Sequence, residues 1–103
     1  VILRALYNSS YLSEEDSQKL ITYLSQSSFD YYLQSALPQS TVFAHKIGTA
    51  KDKGMHLDSG IVYLEHRPYL LTVMIKTKDE QFAKKQMKNI SEKVYNYIKD
   101  FKE

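Results

Sequence analysis

Between Val42 and Lys76 the sequence passes through three strand-like stretches whose connections are too short to hold a helix. Val42 to Thr49 reads as the first strand, and Lys51-Asp52-Lys53-Gly54 as a turn. Ser59 to Glu65 reads as the second, with Ile61 and Tyr63 on one face and Val62 and Leu64 on the other. His66-Arg67-Pro68 then leads into a third strand, Tyr69 to Lys76. A parallel neighbour needs a long crossover, so these short connections make the strands antiparallel. The third is apolar almost throughout, which predicts cover on both of its faces.

Helical patterns lie on either side. Ile2, Leu3 and Leu6 share one face of a short helix that Asn8-Ser9-Ser10 breaks. Ser13 precedes Glu14, Glu15 and Asp16, a helix-start signal that combines a capping hydroxyl with acids near the positive helix end. Leu20, Ile21 and Leu24 continue that helix, which should fade at Ser25-Gln26-Ser27-Ser28. Phe29 to Leu37 fits either a further helical turn or irregular chain, and Pro38 ends it. Asp79 to Lys102 is a long helix, with Phe82, Met87, Ile90, Val94, Tyr97, Ile98 and Phe101 as its apolar stripe. Helices, then three strands, then a helix predict an α+β fold: a three-stranded antiparallel sheet with flanking helices and a long C-terminal helix.

With 103 residues there is material for one small domain. The chain has no cysteine, which excludes disulfides, thiolate metal sites and a cysteine nucleophile. A net charge of +2 is well short of a dedicated nucleic-acid binder. Acids are interspersed among Lys84, Lys85, Lys88, Lys93 and Lys99, so these lysines read as a solvated helix face. Tyr31-Tyr32 reads as core or interface. His45, His56, His66 and Asp58 match no compact metal-ligand spacing, and His56 with Asp58 reads instead as a hydrogen-bonded pair at a strand start. No signal peptide or membrane-length apolar run is visible. The sequence opens without methionine, as if a helix were under way, so the expectation is that 1–103 is a single fragment of a longer protein.

One strand carries Lys46-Ile47-Gly48. A glycine there lets substrate backbone lie along the strand, and the lysine sets a cation beside a carboxylate or a catalytic hydroxyl. The backbone N–H after the glycine can help form an oxyanion hole. As a plain alternative, Lys46 is a strand lysine whose stem lies on apolar surface and whose head reaches water.

The chain resembles the C-terminal part of a class A β-lactamase-like, penicillin-binding-protein-like serine hydrolase. The carrying residues are Leu3 to Ser13, then Ala44-His45-Lys46-Ile47-Gly48, then His56-Leu57-Asp58-Ser59-Gly60-Ile61-Val62-Tyr63, then Pro68 to Met74. The resemblance covers nearly the whole chain. It implies a substrate-binding wall of Lys46, Ile47, Gly48 and Thr49. Lys46 would orient a substrate carboxylate and a proton-shuttling serine, Gly48 would give clearance, and Thr49 would offer its N–H to the oxyanion. Ile47 departs from the Thr or Ser usual in the family, whose hydroxyl binds that carboxylate.

The family's nucleophile motif is Ser-x-x-Lys, in which the serine has a base one helical turn away. No serine in this chain has a lysine three residues on, and Ser-Asp-Asn is absent. The expectation is a fragment with no catalytic residue of its own, inactive alone, from a β-lactamase-like acyl-hydrolase. A non-catalytic binding module of the same fold is the alternative. The resemblance further implies a β-lactam or cell-wall peptide as ligand, a bacterial extracytoplasmic location, and no metal or cofactor. It also implies a five-stranded family sheet whose two N-terminal strands adjoin the last strand. Residues 69–76 should then pair with the missing N-terminal part or with another copy.

Overall fold

A computed structural model of the chain describes residues 1–26 and 31–101. Helix α1 spans Ile2–Asn8 and α2 spans Glu14–Ser25; a short 3-10 turn covers Tyr32–Ala36. Strands β1 (Phe43–Ala50), β2 (Met55–Val62) and β3 (Tyr69–Lys76) follow, and α3 (Glu80–Asp100) closes the order. Among the described residues the sheet has three strands in the order β1-β2-β3, with both pairs antiparallel. The fold is α+β, with helices against an antiparallel sheet.

The helix starts follow from their caps. The Ser13 side chain accepts from the Asp16 N–H at 3.1 Å, and Asp79 accepts from the Phe82 N–H at 3.1 Å. The far end of α3 is held from the β2–β3 connection, where Arg67 donates to the Ile98 carbonyl at 2.8 Å and to that of Phe101. Expectations for Ser27 to Asp30 and for Lys102 lie outside the described residues.

The second strand differs from its expected limits. It begins at Met55 rather than Ser59 and stops at Val62. Gly54, at φ 64, reverses the chain directly after the Lys51–Lys53 turn, so pairing starts at once. A side chain there would lie 2.8 Å from the Thr77 carbonyl oxygen, so both space and backbone angle require glycine. Polar His56 and Asp58 hid this strand start, because both are buried.

Register assigns each side chain to a face. Phe43, His45, Ile47 and Thr49 of β1 pair with Val62, Gly60, Asp58 and His56 of β2, which meet Tyr69, Leu71, Val73 and Ile75 of β3. This face holds the core: Phe43, Val62 and Val73 pack with Tyr32, Leu33 and Met87, and Ile47, Leu71 and Ile75 join them. The opposite face carries Lys46, Gly48, Leu57, Ser59, Leu70, Thr72 and Met74. Leu70 is 45% and Met74 61% exposed, so the third strand is covered on one face only, contrary to its apolar reading. The stripe of α3 matches expectation in part: Met87 is buried, Ile90 packs against the core, and Val94 and Ile98 are half-buried. Ala83, Met87 and Ser91 are buried, whereas Phe82, Tyr97 and Phe101 are exposed. Small Ala83 and Ser91 sit where the helix meets the Tyr32–Ala36 turn, and the Ser91 hydroxyl donates to the Leu33 carbonyl at 2.7 Å.

The Tyr69 hydroxyl is buried without a hydrogen-bond partner among the described residues. Burial first, and then the nearby Tyr95, push it from 10.0 up to about 12. Tyr69→Phe removes an unsatisfied polar atom and should leave stability at neutral pH equal or raise it by about 1 kcal/mol. A raised tyrosine favours the folded state below the unfolded value, and that contribution is lost as pH climbs from about 10 to about 12. Urea midpoints should therefore fall less steeply over that range for Tyr69→Phe than for the wild type. A large loss at neutral pH would mean that the hydroxyl has a partner.

Candidate functional site

Lys46 and Gly48 lie on β1 with their side-chain positions on the sheet's less covered face, opposite Ser59 and Leu57. Lys46 is exposed, and its side chain makes no hydrogen bond or ion pair among the described residues. Ser59 and Thr72 extend the same row across the sheet, joined hydroxyl to hydroxyl at 2.6 Å. A Cβ at Gly48 would meet only the Leu57 side chain, at 3.7 and 3.9 Å, which is ordinary contact. Packing within the chain therefore does not require glycine there. Gly60 is the contrast: a Cβ would come within 2.4 Å of Phe43, 2.5 Å of His45 and 2.7 Å of the Ala44 carbonyl.

The other two candidates face the opposite way. Ile47 is half-buried against the core, and Thr49 lies on the same face beside His56. Their backbones, however, point outward. The Tyr63 N–H bonds the Val42 carbonyl at 2.9 Å, which makes Val42 and Tyr63 a hydrogen-bonded pair. Antiparallel pairs alternate, so Ala44, Lys46, Gly48 and Ala50 bond to β2 while the N–H and C=O groups of His45, Ile47 and Thr49 face the free edge. The edge thus combines the Thr49 N–H, an open strip at Gly48 and an unpaired lysine. Such an edge can hold an extended ligand by backbone bonds and its anion by charge.

Behind β1 lies a buried polar network that sequence reasoning placed differently. Asp58 does not pair with His56. Its Oδ1 lies 2.9 Å from His45 Nδ1, and its Oδ2 accepts from the Leu33 N–H at 3.2 Å. His56 turns to Tyr32, whose hydroxyl lies 2.7 Å from Nδ1, while Nε2 donates to the Thr77 carbonyl at 3.0 Å. Asp58 and His56 are two apart on one strand, and each reaches a different element. Tyr32 itself has φ 64, rare for a bulky side chain, and these buried bonds hold it there. Burial first, then Glu80, Tyr31 and Asp58, raise its hydroxyl above the ordinary tyrosine value. The signal available in the sequence was alternation: if Lys46 points out, His45 points in and needs a partner. Among the described residues, no group of three or more His, Cys, Asp or Glu side chains could hold a metal ion.

Comparison with known proteins bears on the fold and the family. A family model described as the Beta-lactamase enzyme family matches residues 1–98. No curated protein matches the chain. The structure of PBP-A superposes with a TM-score of 0.86 at 18% identity, covering 97% of this chain and 38% of that one. A β-lactamase from Sphaerobacter thermophilus DSM 20745 gives 0.85 at 13% identity, covering 98% and 39%. A class A β-lactamase representative from Bacteroides cellulosilyticus DSM 14838 gives 0.77 at 18% identity, covering 92% and 38%. The chain therefore spans less than two-fifths of the length of these structures. The match over residues 1–98, together with this sheet and its helices, places the chain in the Beta-lactamase enzyme family.

Proposed function

We propose that this chain forms the Lys-x-Gly wall of a serine acyl-hydrolase site and binds a carboxylate-bearing acyl substrate, a β-lactam or a cell-wall peptide, along the free edge of β1. Lys46 attracts the carboxylate, Gly48 gives clearance, and the Thr49 N–H faces the carbonyl oxygen. The single observation behind this reading is the pairing of an exposed, unpartnered Lys46 with a Gly48 that packing does not need. The family match supports it, and a PBP-A point mutant is an acyl-enzyme complex with penicillin G. The nucleophile and its base come from sequence outside residues 1–103, because Ser-x-x-Lys is absent here. A bacterial, extracytoplasmic setting goes with that role. So does an added strand on β3, from the N-terminal part of the same protein or from a second copy.

The chain alone should neither turn over a chromogenic β-lactam nor be labelled by a fluorophosphonate probe. Turnover above a heat-denatured control would overturn the proposed division of the site. Binding is tested by titrating penicillin G into the 15N-labelled chain. The Lys46 to Ala50 amides should shift, and Lys46→Ala should weaken this about ten-fold or more, as expected for a charge-assisted contact of about 1.5–3 kcal/mol. Gly48→Ala should keep wild-type stability and still bind less well. If penicillin G leaves the β1 amides unmoved, the non-catalytic module is the better reading. Ile47, which offers no hydroxyl and packs into the core, is the residue that favours it.

A further inference from the structure

We propose that His45 is a positioning residue for Lys46, acting through the β1 backbone because Asp58 clamps it to β2 and to the Tyr32–Ala36 turn. This rests on the reading of Lys46 given above.

Among the described residues β1 is an edge strand, bonded along one side only. Its ladder bonds fall at Ala44, Lys46, Gly48 and Ala50, and the proposed ligand would pull on the groups between them. Among the described residues, His45 is the one β1 side chain with a hydrogen bond. It is 2% exposed, and Asp58 is fully buried. The Asp58 carboxylate takes two donors, the Leu33 N–H and His45 Nδ1, so His45 carries its hydrogen on Nδ1. Leu33 is tied in turn to α3 through the Ser91 hydroxyl. One carboxylate thus joins β2, β1 and the turn, and the turn is anchored to the long helix.

The surroundings are built to this arrangement. The Phe43 and His45 rings stack with centroids 4.2 Å apart and planes 12° apart. Both side chains close over Gly60, where a methyl group would clash with each. His45 and Gly60 form a non-hydrogen-bonded pair, the closer of the two antiparallel spacings, so a bare glycine lets the ring lie across β2 toward Asp58. Lys46 is the next residue, on the other face. Any rotation or slip of β1 that moves Lys46 must also move His45 off Asp58.

Amide exchange on the full chain separates positioning from general stability. His45→Asn keeps an N–H near the Nδ1 position and should preserve wild-type exchange at Lys46 and Gly48. His45→Phe keeps the stack on Phe43 but cannot donate. It should speed exchange at Lys46 and Gly48 about ten-fold or more while Leu71 and Val73, bonded across β2–β3, change little. If His45→Phe unfolds because Asp58 loses a donor, His45→Phe combined with Asp58→Asn removes the buried charge and should give the same selective loosening. Equal acceleration in both ladders, or none in β1, would overturn the proposal. Penicillin G titration supplies the second arm. Wild type and His45→Asn should bind alike and the loosened variant about ten-fold more weakly, whereas equal binding by all would overturn the positioning role. Failure of the wild type to bind defeats the reading of Lys46, and the exchange arm still decides whether His45 clamps β1.

Discussion

Asp58→Ala should leave most of the chain unfolded at 25 °C. The substitution strips acceptors from the Leu33 N–H and from His45 Nδ1 in a buried site. Each orphaned donor costs about 1–3 kcal/mol. A domain of this size has a total stability near the lower end of about 5–15 kcal/mol. The clamp also holds Tyr32 at its unfavourable φ, so its loss releases the turn as well as β1. Asp58→Asn should be milder, because the amide oxygen still accepts from Leu33 and only the bond to His45 must rearrange. Thermal melts followed by circular dichroism check both variants. An Asp58→Ala protein within about 1 kcal/mol of wild type would mean that water or another group replaces the carboxylate.

The buried pair also marks the boundary of what was legible in the sequence. Strand β3, the cap at Ser13, the long C-terminal helix and the antiparallel order follow from local rules, because alternation, capping chemistry and short connections act within a few residues. The beginning of β2 did not follow, since a strand written His-Leu-Asp-Ser-Gly presents polar residues on its inward face. Their burial is made tolerable by Tyr32, Leu33 and His45, which lie 13 to 25 residues from the partners they bond. No local pattern carries that information. The α3 stripe was legible only in part, with Met87 and Ile90 on the core but Phe82, Tyr97 and Phe101 exposed, for a related reason. Large apolar residues suggest a buried face, but the helix approaches its neighbours through Ala83 and Ser91, and small residues leave no such signature. At the candidate site, Lys46, Gly48 and Thr49 were visible as a motif. The division of labour between side chains on one face and backbone groups on the edge required the register.

Strand β3 should drive association of the chain as concentration rises. The Thr77 N–H bonds the Gly54 carbonyl at 2.7 Å, so by alternation Tyr69, Leu71, Val73 and Ile75 bond to β2. The N–H and C=O groups of Leu70, Thr72, Met74 and Lys76 then point to the outer edge, where no strand of the described residues lies. No proline or charge interrupts this edge before Lys76, and Leu70 and Met74 add exposed apolar surface beside it. An edge of this kind is a template for another strand. Sedimentation across a concentration series should show a growing dimer, and the Leu70, Thr72 and Met74 amides should gain protection with it. Thr72→Pro removes an outward N–H and the exposed hydroxyl bond to Ser59 but no ladder donor, so it should keep the fold and abolish the dimer, whereas Val73→Pro removes a ladder donor and should unfold the strand. A chain that stays monomeric at high concentration, with those three amides exchanging freely, would show that β3 needs no further partner.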